Sequence, residues 1–164
     1  MRICIYGAGA VGGVIAAWLA RAGHEVCVVA RGVNLDAIRR DGLRVLDLAS
    51  GNLLTSRVIA DSDPAKLGPQ DAVIVTVKAQ SLAEVARRIA PLLGVDTTVI
   101  TAMNGVPWWF FDRLPAAKGR RLESLDPGGA LTRAMPTERI VGCVVHIAAS
   151  TPEPGLISHN MGKK

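Results

Sequence analysis

Short, wholly apolar runs alternate along the chain with stretches whose apolar positions recur every third or fourth residue. Ile3-Cys4-Ile5-Tyr6 carries apolar side chains to both faces, the pattern of a parallel strand buried on both sides. Val11, Ile15, Trp18 and Leu19 then recur at helical spacing, and Gly23 supplies a stop. Residues 25–30 predict a second strand ending at Arg31. Asn34 stands where it can cap a short helix over residues 35–40, closed by Asp41-Gly42. Residues 43–48 and 53–60 predict two strands of a hairpin turning at Ala49-Ser50-Gly51-Asn52. Residues 61–70, with Pro64 and Pro69, form a connector holding at most one helical turn.

The second half repeats the alternation. Residues 71–77 predict a central strand running into Lys78. Ser81 and Glu84 have capping-box spacing, and Leu82, Val85, Ile89, Leu92 and Leu93 make the stripe of a helix that Gly94 stops. Residues 97–101 predict the next strand, ending in Ala102-Met103-Asn104-Gly105. Residues 112–137, rich in Gly, Pro and Arg, read as an excursion from the sheet. Residues 139–148 predict a further strand, with residues 155–158 beside it. The whole predicts an α/β fold, a Rossmann-type doubly wound, mainly parallel sheet with helices on both faces. Strands ending at Arg31, Lys78 and Asn104 should then finish at one sheet edge.

Composition narrows the class. At 164 residues the chain is one domain, residues 1–164, and with 49% apolar and 20% charged residues it is globular. The net charge of +5 comes from scattered pairs such as Arg87-Arg88 and Arg120-Arg121 without interleaved aromatics, which argues against nucleic acid and leaves a field that attracts small anions. Cys4, Cys27 and Cys143 lie in apolar runs and predict buried free thiols of a reducing cytoplasm. Glycines interrupt the apolar N-terminus, which argues against reading it as a signal peptide, and the longest apolar run, residues 11–20, is too short for a membrane. His24, His146 and His159 lack metal-ligand spacing, and no metal is expected. Trp108-Trp109-Phe110-Phe111 holds four of the six aromatics. A one-sided helix cannot bury all four, so either the local core is thick or another domain or subunit covers part of the cluster.

Gly7-Ala8-Gly9-Ala10-Val11-Gly12 links the first strand to the first helix, which is the setting of a dinucleotide-binding turn. Gly7 permits the sharp turn, Gly9 leaves room for a pyrophosphate, and Gly12 lets helix and strand approach closely. The unpaired N–H groups at the helix start face the phosphates. Arg31 stands where NAD-binding chains place a carboxylate. A guanidinium there suits the 2′-phosphate of NADP, the alternative being a solvated arginine. Lys78 can reach a cofactor phosphate, a ribose or a substrate oxygen, or lie as a snorkelling surface lysine. Asn104 can orient a carbonyl or a ribose hydroxyl, or serve with Gly105 as a turn pair.

These residues give the chain a family likeness. Gly7-Ala8-Gly9-Ala10-Val11-Gly12-Gly13, Ala30-Arg31-Gly32, Val75-Thr76-Val77-Lys78-Ala79, Asn104-Gly105-Val106-Pro107 and the turn at Glu153-Pro154-Gly155 resemble the ketopantoate reductase (2-dehydropantoate 2-reductase) family over nearly the whole chain. The resemblance implies NADPH-dependent reduction of 2-dehydropantoate, a 2-keto acid, to pantoate on the way to coenzyme A. It implies that Arg31 takes the 2′-phosphate and that Lys78 and Asn104 line the nicotinamide and substrate side. It also implies a helical C-terminal domain that closes the cleft and supplies the general-acid lysine. This chain is expected to stop short of that domain, so it should bind the dinucleotide and catalyse weakly or not at all. A C-terminal domain or a second subunit would then cover the cleft and the Trp108–Phe111 cluster. Two alternatives stay open: a reductase of another 2-keto acid, and a non-catalytic dinucleotide-sensing module.

Overall fold

The computed structural model describes residues 1–117 and 119–162. Along the chain, β1 (Arg2–Tyr6), α1 (Ala10–Arg21), β2 (Glu25–Val29) and α2 (Gly32–Asp41) precede β3 (Leu43–Asp47), β4 (Leu53–Ser56) and β5 (Ile59–Asp61). There follow β6 (Gln70–Val75), α3 (Leu82–Arg88), β7 (Leu93–Ala102), α4 (Ala130–Ala134), β8 (Ile140–Cys143), β9 (Ala148–Glu153) and β10 (Leu156–Met161). Six strands form a wholly parallel sheet in the order β5-β2-β1-β6-β7-β8. The chain winds outward from β1 through β2 to β5, then returns to the other side of β1 with β6. This is the doubly wound fold, and its topological switch lies between β1 and β6.

Side-chain alternation along β1 builds two cores. Ile3 and Ile5 join Val26, Val28, Ala72 and Ile74 under α1 and α2. Cys4 and Tyr6 join Val29, Val73, Val75 and Val99 under α3, Trp108, Leu131 and Met135. Each fully buried Val or Ile contributes about 1.5–3 kcal/mol, so both faces of the sheet hold the domain together. A second, four-stranded sheet of order β4-β3-β10-β9, which the pattern did not predict, covers the outer side of α1.

That second layer changes which face of α1 is buried. Gly12, Gly13, Val14, Ala16 and Ala17 are buried, whereas the expected stripe of Val11, Ile15, Trp18 and Leu19 is only half-buried. A helix held between two sheets needs small residues where backbones approach, and its large residues fill the margins. A Cβ on Gly13 would overlap Ile157 Cδ1 of β10.

Several expected boundaries move for identifiable reasons. The strand expected over residues 53–60 divides: β4 ends at Ser56, whose hydroxyl donates to the Ala17 carbonyl (3.4 Å), and β5 crosses to pair with β2. α2 begins at Gly32 with Arg31 at its N-cap, so Asn34 lies inside the helix and does not cap it. α3 stops at Arg88, ahead of Pro91, which cannot extend a helix; Leu93 and Gly94 already belong to β7. The strand expected over residues 139–148 also divides. The Asn104 amide takes both the N–H and the carbonyl of Val145, lifting that segment out of the β8 ladder before β9 begins.

Cys4 and Cys27 are buried side by side, in register across β1 and β2. The hydrogen bond with the Cys27 thiol and burial both push the Cys4 thiol up, so it stays protonated. Cys143, on the edge strand, is half-buried rather than buried as expected. Trp108 is buried and Trp109 lies on Gly142, whereas Phe110 keeps 41% of its surface exposed.

Candidate dinucleotide groove

The carboxyl ends of β1, β2, β6 and β7 share one edge, and the residues after them line a continuous trough. One part, of about 680 Å³, runs past Gly7, Gly9, Ala10, Arg31, Thr76 and Lys78. A second, of about 310 Å³, shares Val11, Thr76, Val77 and Lys78 with the first and extends to Asn104 and Val145. Ala8 lines the first part as well. The fold thus brings Gly7, Gly9, Arg31, Lys78 and Asn104 to one place. The volumes suit a small-molecule ligand.

The glycine turn is held from three sides. Gly7 has φ +112°, and a Cβ there would stand 2.8 Å from Val77 Cγ1. The Gly7 and Ala8 N–H groups both donate to the Val29 carbonyl, at 3.2 and 3.3 Å. The Thr76 hydroxyl donates to the Gly7 carbonyl at 2.7 Å. The Asn34 amide N–H donates to the Ala8 carbonyl (2.8 Å), while its oxygen accepts from the Gly155 N–H (2.8 Å). A Cβ on Gly12 would overlap the Gly7 carbonyl oxygen and Thr76 Oγ1. Gly9, by contrast, has no atom beyond its own chain neighbours within 4 Å of where a Cβ would stand.

Gly9 is the N-cap of α1, with no side-chain cap and no acidic residue in the first turn. The first-turn N–H groups of Ala10, Val11 and Gly12 have no intrahelical acceptor. They and the positive end of the helix dipole meet the trough without a competing carboxylate. Anions are stabilised at such a terminus, and the open space beside Gly9 gives one room.

At one end of the trough, Arg31 Nη1 donates to both Glu84 oxygens, at 2.9 and 2.8 Å. Glu84 therefore does not complete the expected capping box, and Ser81 makes no side-chain cap. The salt bridge outcompetes a hydrogen bond to one backbone N–H. At the other end, the Lys78 side chain is exposed and makes no ion pair or hydrogen bond among the described residues. Asn104 holds Val145 by donating to its carbonyl (3.0 Å) and accepting from its N–H (2.8 Å). Its second amide proton and second oxygen lone pair remain for a ligand. Among the described residues no cluster of three or more potential ligands could hold a metal, and no helix is long and apolar enough to cross a membrane.

Three contributors to the trough carry no site role in the sequence reading. Thr76 was legible as the one polar residue in an otherwise apolar strand end. Asn34 reads locally as a helix cap, because its actual partners lie 26 and 121 residues away. Ala149 of β9 reaches the trough through the unforeseen second sheet.

The protein-family model for ketopantoate reductase PanE/ApbA matches residues 3–164. A 2-dehydropantoate 2-reductase of Mesorhizobium japonicum is 43% identical over all of this chain and half of its own length. A glycerol-3-phosphate dehydrogenase [NAD(P)+] of a Bradyrhizobium strain is 34% identical over 63% of the chain and 32% of its own length. The crystal structure of a provisionally assigned ketopantoate reductase from Ralstonia solanacearum superposes with a TM-score of 0.92 at 51% identity, over 99% of this chain and 50% of that one. The chain thus spans about half the length of the relatives that match it end to end.

Proposed function

Because the chain belongs to the ketopantoate reductase family, we propose that its trough binds NADP(H) and forms the nucleotide half of a 2-keto acid reductase. The observation carrying this reading is the uncapped start of α1, which opens beside Gly9 onto a trough leading to Arg31 in one direction and Lys78 in the other. In this assignment the backbone from Gly7 to Gly12 holds the pyrophosphate. Two Arg31 nitrogens, Nε and Nη2, remain for a 2′-phosphate once Nη1 is engaged by Glu84.

Bound there, the cofactor would supply hydride to the keto carbon of 2-dehydropantoate, giving pantoate. Lys78 sets a positive charge beside the reacting end, suited to a carboxylate or phosphate oxygen. Asn104 fixes the opposite wall through Val145 and keeps one donor and one acceptor for orienting a carbonyl. Protonation of the developing alkoxide needs a donor within hydrogen-bond reach of that oxygen. We assign this step to no residue of the chain, so nucleotide binding is its expected activity and turnover that of a longer protein. Exposed Phe110 and Val106 offer apolar surface for a further domain or a second subunit to cover. The free thiols Cys4 and Cys27 support a reducing, cytoplasmic setting.

Calorimetric titration with NADPH and NADH tests the cofactor assignment. NADPH is expected to bind more tightly, and Arg31→Ala to remove most of that difference. Equal affinities that the substitution leaves unchanged would falsify it. The likeness to a glycerol-3-phosphate dehydrogenase supports a second reading, a different oxidoreductase substrate on the same nucleotide half. A substrate panel on a protein of the relatives' full length separates the two.

A further inference from the structure

We propose that Glu84 is a second determinant of nucleotide choice, tempering the preference that Arg31 gives for a 2′-phosphate and allowing the same groove to accept the unphosphorylated nucleotide. This rests on the NADP(H) assignment above. The carboxylate that reads ribose hydroxyls in NAD-binding chains ordinarily ends the second strand. Here that position is Arg31, and a carboxylate arrives instead from α3, held against the same guanidinium.

The local charges are few. Glu84 meets Arg31 at 2.8 Å and Arg88 at 3.7 Å. Arg88 is also engaged by the Ser62 carbonyl at 2.9 Å and lies 4.0 Å from Asp63. Tyr6, Ser81, Glu84 and Arg88 line the recess that adjoins Arg31 and Gly7. A phosphomonoester on Arg31 would bring one to two further negative charges beside Glu84, which opposes its binding. A free 2′-hydroxyl brings no charge and can donate to the Glu84 carboxylate. One side chain therefore penalises one nucleotide and rewards the other, and the pair Arg31–Glu84 reads both.

Glu84→Gln tests this, since the amide oxygen can still accept from Arg31 while the charge is gone. NADPH and NADH dissociation constants are measured by nucleotide fluorescence on the wild type, Glu84→Gln and Arg31→Ala, with thermal unfolding as the check on folding. Glu84→Gln is expected to tighten NADPH roughly tenfold and to weaken NADH, raising the NADPH:NADH preference by about tenfold or more. A preference that stays the same or falls overturns the proposal, because Glu84 would then only buttress Arg31. That result leaves the cofactor assignment standing if Arg31→Ala still costs NADPH affinity. If the wild type binds neither nucleotide, the assignment itself fails.

Discussion

Two glycines of one turn should separate folding from binding. An alanine at Gly12 would put its Cβ onto the Gly7 carbonyl oxygen and Thr76 Oγ1, and 3.0 Å from Ile5 Cγ2. The Gly7 carbonyl is backbone and Ile5 is fully buried, so α1 must move. Over-packing of this kind costs about 1–3 kcal/mol. Disturbing the Thr76–Gly7 hydrogen bond adds roughly 1 kcal/mol. Better helix propensity returns about 1 kcal/mol. The net loss is about 2 kcal/mol, or roughly 4–8 °C in Tm for a domain of this size. Gly9 has φ −83° and empty space where a Cβ would stand. Its alanine loses a little as an N-cap and gains about as much from a stiffer unfolded chain, so stability should stay within about 0.5 kcal/mol. Yet that methyl stands at the trough, where the proposed pyrophosphate site needs backbone approach, and NADPH affinity should fall by roughly tenfold or more. Circular-dichroism melting and NADPH fluorescence titration on both variants read the two effects. A Gly12→Ala protein as stable as the wild type, or a Gly9→Ala protein with undiminished NADPH affinity, refutes the reasoning.

Other outcomes follow from single contacts. Asn34→Asp removes the donor to the Ala8 carbonyl and sets a carboxylate oxygen against it. Urea unfolding should register a loss of about 1–3 kcal/mol, and NADPH binding should weaken with it. The Asp63 N–H, followed by Lys66 and Arg39, holds the Asp61 carboxyl below its ordinary 3.8, against the opposing effect of desolvation. Its contribution is therefore complete above that value and is lost as pH falls through the lower folded one, so Asp61→Asn should flatten acid unfolding curves below about pH 4. Iodoacetamide on the folded protein should label Cys143 first, with Cys4 reacting only on unfolding, as mass spectrometry of the peptides would reveal.

The sequence carried the parallel core and the trough because both depend on local signals. Apolar runs fix the strands, the glycine turn fixes the first crossover, and strand ends in a parallel sheet share an edge. What escaped it was non-local. Nothing near Asn34 says that its amide spans from Ala8 to Gly155, and nothing near Glu84 says that Arg31 outbids Ser81 for its carboxylate. The large residues of α1 mark an apolar stripe, but its small face is the buried one, because a second sheet packs on it. Asn104 stands at the strand end where its sequence position puts it, but its hold on Val145 depends on a partner 41 residues away.

The brace from Asn34 to Gly155 has a consequence for biosynthesis. The first crossover leaves the ribosome early, yet the carbonyl of Ala8 is steadied by an amide that is itself held by Gly155, and Gly13 beds on Ile157. A nascent chain of a hundred residues would own every glycine of the turn and lack its counterweight. Such distant closures are slow to form, so the glycine turn should set last, after β10 has threaded beside β3.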